Sequence, residues 1–139
     1  MNSTRKQQRC RQILEAAGRC FLRKGLTGAS VSDICAEVGI GPGHLYHYFD
    51  SKDSLIAAFV EMNLKEADDE LTARFTDRAP AGDFPPDFAW LGRTEELALI
   101  FEILAQAARS QRIAKILQAH GKRLLLNLSD AVVAACRSD

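Results

Sequence analysis

Between residues 44 and 52 the chain places two imidazoles, two phenols and an ammonium: His44, Tyr46, His47, Tyr48 and Lys52. Three chemistries are open to such a set. Histidines at i, i+3 share a helix face and could form half of a metal site, but zinc needs three or four converging ligands, and no CxxC or HExxH spacing supplies the rest. Proton transfer or nucleophilic catalysis needs a base held against a nucleophile, or a carboxylate pair, and neither these nor a phosphate loop stands out. No catalytic residue, metal or cofactor is therefore expected. The third chemistry is hydrogen-bond donation to phosphate oxygens or base edges, which asks only for donors on an exposed surface.

The elements that must position these side chains are written locally. Ser30 followed three residues later by Asp33 is a capping box, so a helix starts at Val31. Val31, Ile34, Cys35 and Val38 fall at i, i+3, i+4, i+7 and give it one apolar stripe. Gly39 follows, where a left-handed residue ends a helix at little cost to glycine. Gly41-Pro42 restarts one: glycine is an acceptable N-cap, and proline at N1 loses only an amide that has no partner. The spacing predicts a second helix from Pro42 to about Phe49, anchored inward by Leu45 and Phe49, with His44, Tyr46, His47 and Tyr48 outside. Two short helices joined by a glycine-containing turn form a helix-turn-helix, whose second helix can lie in a DNA major groove.

At this point the chain resembles the TetR (tetracycline repressor) family of transcriptional regulators. Ile13-Leu14, Ala16-Ala17, Phe21, Gly25, Ser30-Val31, Asp33-Ile34, Gly39, Gly43, Leu45-Tyr46, Phe49 and Lys52-Asp53 stand in its pattern and spacing, over roughly residues 9 to 56. The resemblance implies a double-stranded DNA operator with an inverted repeat, a homodimer that binds it, and a small-molecule effector that releases a repressor. It places Tyr46 and Lys52 at phosphate-contacting positions and Pro42, Gly43 and His44 on the turn that reaches base edges. Ser30 and Ser32 could add phosphate contacts, although Ser30 is fully explained as a cap, and His47 joins the set as an exposed residue of the same helix. His44 stands where the family most often has threonine or serine, and Gly41 where it often has serine, so the operator sequence does not carry over.

Composition agrees once the chain is divided. Its 139 residues have zero formal net charge, 47% hydrophobic and 26% charged residues. Residues 1–53 carry eight Lys/Arg against five Asp/Glu, net +3, and residues 54–139 carry ten against thirteen, net −3. The first third is thus the electropositive end. Arg5, Lys6, Arg9 and Arg11 have no acid among them and read as a basic arm, either a frayed terminus or a phosphate contact. No apolar run approaches the roughly 20 residues of a spanning helix, and no secretory signal opens the chain, so a cytoplasmic, non-membrane protein is expected. The cysteines at 10, 20, 35 and 136 read as small apolar residues in a reducing compartment, with Cys10 alone in a setting suited to redox sensing.

The remaining segments read as helices. Cys10 to Gly25 is amphipathic through Ile13, Leu14, Ala17, Phe21 and Leu22, and Leu26 to Ala29 reads as a linker. Asp50 or Ser51 caps a long helix that runs to about Thr76 through Leu55, Ile56, Phe59 and Val60. Residues 77–93 hold three of the four prolines and read as a hinge whose Phe84, Phe88, Trp90 and Leu91 tuck onto neighbouring helices. Thr94 opens another helix, and Ser110 to Arg137 a last one that includes His120, which reads as a core or pocket histidine. The fold class is all-α: a helix-turn-helix DNA-binding domain over 1–53, then a helical effector-binding and dimerisation domain over 54–139. Family members usually continue into two further long helices, so the second domain is expected to be incomplete. The alternative is a short helical interaction protein without an effector pocket that modulates a full-length regulator.

Overall fold

The computed structural model describes residues 2–76 and 94–137. Six helices follow in order: α1 (Asn2–Gly28), α2 (Val31–Val38), α3 (Pro42–Tyr48), α4 (Lys52–Thr76), α5 (Thr94–Ala107) and α6 (Gln111–Cys136). There is no strand among the described residues, and no helix among them is long and apolar enough to cross a membrane. The expected hinge at 77–93, with Phe84, Phe88, Trp90 and Leu91, lies outside the described residues.

The first layer packs α1, α2, α3 and the start of α4 around Ile13, Ala17, Phe21, Ile34, Leu45, Leu55 and Val60, each at most 1% exposed. Phe21 meets the edge of Phe59 with ring centroids 5.2 Å apart, joining α1 to α4. Gly18 makes this approach possible, because a Cβ there would lie 2.8 Å from Phe59 Cε2. The second layer, α5 and α6, contributes Leu99 and Ile113 to the same buried cluster. It also joins α4 through His120, whose Nδ1 lies 3.0 Å from Asp68 Oδ2 without the alignment of a hydrogen bond.

Two expectations for α1 are corrected. The helix begins at Asn2 rather than near Cys10, so the basic arm is helical. Its first turns carry no apolar periodicity, because they pack on nothing that requires one. Gly25 does break the helix, with φ 76° and ψ 166°, but Leu26 to Gly28 form a further turn instead of a linker. Leu26 and Ala29 are buried, at 3% and 0% exposed. The break frees the Leu26 amide, which donates to Glu102 Oε2 of α5 at 2.7 Å.

Candidate nucleic-acid interface

Helix α3 is set by four local devices. At the start of α2 the Asp33 N–H donates to Ser30 Oγ at 3.0 Å, while the Ser30 N–H donates to Asp33 Oδ2 at 2.9 Å. Those backbone and hydroxyl contacts, with Lys24, hold the Asp33 carboxyl down at about 2. Gly39 then ends α2 in the left-handed region, φ 77°, and its N–H and that of Ile40 both donate to the Cys35 carbonyl. Gly41 caps α3 without a side chain and Pro42 occupies its first turn. At the head of α4 the Ser54 N–H donates to Ser51 Oγ at 3.0 Å, which settles the cap on Ser51.

On α3 only Leu45 is fully inward, followed by Phe49 just past the helix end. Pro42, Gly43, His44, Tyr46 and His47 are exposed, Tyr46 by 48%. Tyr48 is half-buried and lies against both histidines, its ring centroid 5.6 Å from His44 and 5.3 Å from His47. Ser32 is exposed in the first turn of α2, whereas the Ser30 hydroxyl is occupied by the cap. Lys52 opens α4, its ammonium donating to the Thr27 carbonyl at 3.3 Å. The helix-turn-helix therefore brings Pro42, Gly43, His44, Tyr46 and His47 onto one short helix, with Ser32 and Lys52 on the helices before and after it.

A count of charges does not reveal which cations are already neutralised. Arg19 and Arg23 converge on Glu37 at 2.9 and 2.8 Å, and their hydrogen bonds lower its carboxyl from the ordinary value. Lys24 pairs with Asp33 at 2.9 Å, and Arg11 bridges Glu15 and Glu66 at 2.9 and 2.7 Å. Among the described residues Arg5, Lys6 and Arg9 of α1 meet no carboxylate, and they face α3 across a cleft of about 470 Å³ lined also by His44, His47 and Tyr48. The sequence reading named these cations but not their place. Once α1 is helical from Asn2, Arg5, Arg9 and Gln12 at i, i+4, i+7 share a face, but that spacing does not say what the face meets.

The remaining candidates are ordinary. Cys20 and Cys35 are buried free thiols, pushed up first by burial, and Cys10 is half-buried. Among the described residues no three His, Cys, Asp or Glu side chains group as metal ligands.

Fold and site together define a helix-turn-helix protein with a second helical layer. Residues 13–59 match the model of the bacterial regulatory proteins of the tetR family, and the chain belongs to that family. It is 33% identical over 113 residues to the HTH-type transcriptional regulator UidR of Escherichia coli K12, covering 77% of this chain and 56% of that one. It is 33% identical over 107 residues to TtgR of Pseudomonas putida, covering 76% and 47%. The chain thus spans about half the length of these relatives, which are named as transcriptional regulators, not enzymes. Among solved structures, Salmonella enterica GusR superposes with a TM-score of 0.67 at 25% identity, over 93% of this chain and 68% of that one. A TetR-family structure from Mesorhizobium loti reaches a TM-score of 0.82 at 21% identity, over 96% and 71%, and shares the fold.

Proposed function

We propose that the chain is a sequence-specific DNA-binding regulator of transcription that represses from an inverted-repeat operator as a homodimer and is released by a small-molecule effector. One observation carries the DNA-binding part. Helix α3 buries Leu45 and turns His44, Tyr46 and His47 outward, which core packing alone does not require. In this reading residues 1–53 recognise DNA and residues 54–139 bind the effector and build the dimer. Pro42, Gly43 and His44 lead the helix toward base edges, while Tyr46, Lys52 and Ser32 contact phosphate. The effector step is supported by family membership and by α4, which runs from the reading head to the second layer and can couple two ligand affinities.

Base and phosphate roles separate in binding assays. Tyr46→Phe and Lys52→Ala should weaken binding about equally on every duplex, with Lys52→Ala reducing the log–log salt slope by about 1. His44→Ala should change the preferred half-site by about 1–3 kcal/mol at one base pair. An unchanged selected motif for His44→Ala would remove that residue from base reading.

A second reading has its own observation: Phe101 and Leu104 on α5, and Leu125 and Leu126 on α6, are 50–70% exposed. Such a surface suits a helical interaction protein that modulates a full-length regulator without an effector pocket. Thermal shift against a metabolite panel separates the two, since only a competent pocket gains stability from a ligand.

A further inference from the structure

Helix α1 carries seven cations, and their partners divide them into two groups. Arg11, Arg19, Arg23 and Lys24 each meet a carboxylate within 3 Å. Arg5, Lys6 and Arg9 meet none among the described residues; Arg9 Nη1 donates only to the neutral Gln12, at 2.9 Å. These three face the cleft whose other wall is His44, His47 and Tyr48, and no carboxylate lines it. The groups facing the two imidazoles are therefore three cations from α1 and the Tyr48 phenol from α3. A concave site with several donors, fixed positive charge and no acid suits an oxyanion, and imidazole is the side chain whose charge changes between pH 5 and 8.

We propose that this cleft seats the DNA backbone phosphates flanking the stretch that α3 reads, with His44 and His47 holding them as imidazolium, so that DNA and protons bind together. The inference rests on the DNA-binding reading and adds a contact on the side of α3 that shares the cleft with α1. A phosphodiester oxygen against an imidazole favours its charged form, so affinity falls as pH rises through the histidine range. His44 belongs to both the leading turn and the rim of the cleft, while His47 belongs to the cleft through its packing on Tyr48.

The test is fluorescence anisotropy with a random-sequence duplex of about thirty base pairs, since phosphate seating needs no operator. Arg5→Gln with Lys6→Gln and Arg9→Gln should lower the log–log salt slope by about 2, and affinity at least tenfold at low salt. For the unaltered chain, affinity should fall by about tenfold or more from pH 6 to pH 8, and His44→Gln with His47→Gln should flatten that fall to about twofold. Lys52→Ala, outside the cleft, should bind more weakly yet keep the pH dependence. The altered side chains are exposed or half-buried, so each variant should keep its thermal midpoint. An unchanged salt slope in the triple variant, or a pH dependence that survives loss of both histidines, overturns the phosphate seat while leaving DNA binding intact. Failure of the unaltered chain to bind the duplex even at low salt overturns the DNA-binding reading as well.

Discussion

The two layers use the same kind of sequence to opposite effect. In the first layer, α1 to α3 with the start of α4, apolar side chains at helical spacing meet one another, and Ile13, Ile34, Leu45 and Leu55 reach 0% exposure. In the second layer the spacing is as regular, yet among its described residues only Leu99 and Ile113 are buried, while Phe101 and Leu125 stand 68% and 70% exposed. Periodicity identifies which residues share a face. It does not say whether the face is covered, because that depends on a neighbouring element.

Substitutions can break this contrast or sharpen it. The largest loss should follow Phe21→Ala, which removes a ring 1% exposed and packed on Phe59; a cost of about 3–5 kcal/mol is expected from urea denaturation. A cost below about 1 kcal/mol would mean that the first layer is packed no better than the second. Gly18→Ala comes next. Its new methyl would lie 2.8 Å from a Phe59 ring atom that Phe21 helps hold in place. Overpacking of about 2–3 kcal/mol, less about 1 kcal/mol of improved helix propensity, leaves a net loss of about 1–2 kcal/mol.

Ser30→Ala should cost about 1 kcal/mol by removing the cap of α2. It also has a pH signature. Asp33 sits at about 2 against an ordinary 3.8, and a carboxyl lowered on folding stabilises above its unfolded value and loses that contribution as pH falls through its folded one. The gap between the unaltered chain and Asp33→Asn, followed by thermal melts, should therefore close between about pH 4 and pH 2; a gap constant across that window contradicts the ionised cap. Smallest of all, Phe101→Ala on the exposed face of α5 should change stability by no more than about 0.5 kcal/mol. A larger loss would show that this face is covered in solution and would end the contrast between the layers.

What was legible in the sequence follows from range. The capping box of Ser30 and Asp33, the left-handed stop at Gly39 and the restart at Gly41-Pro42 each involve residues within a few positions, so residue types sufficed to place α2 and α3. The start of α1 was not legible: residues 2–9 contain no apolar residue, and a helix on an open face leaves no periodic trace. Leu26 and Ala29 looked like linker because a turn rich in small and polar residues does not disclose that its two apolar members point inward. The electropositive end was visible as a net charge, but the removal of Arg19, Arg23 and Lys24 from it depends on pairs 9 to 18 residues apart across helices. Local spacing could not place Arg5, Lys6 and Arg9 beside α3, since that requires knowing how α1 crosses the helix-turn-helix.

The contact between Leu26 and Glu102 bears on how such chains can be recombined. A side chain at Gly25 would have to adopt a positive φ and would bring its Cβ within 3.0 Å of both Glu102 carboxylate oxygens. A residue at 102 without an acceptor would leave the Leu26 amide, freed by the break in α1, without the bond it makes here. The two positions are 77 apart in sequence but constrain each other as one unit. A chimera that joins the first 53 residues of one relative to the remainder of another therefore inherits half of this pair from each parent. Such grafts should succeed where both parents carry glycine at the first position and a carboxylate at the second, and a mismatched graft can be repaired by restoring the missing partner alone.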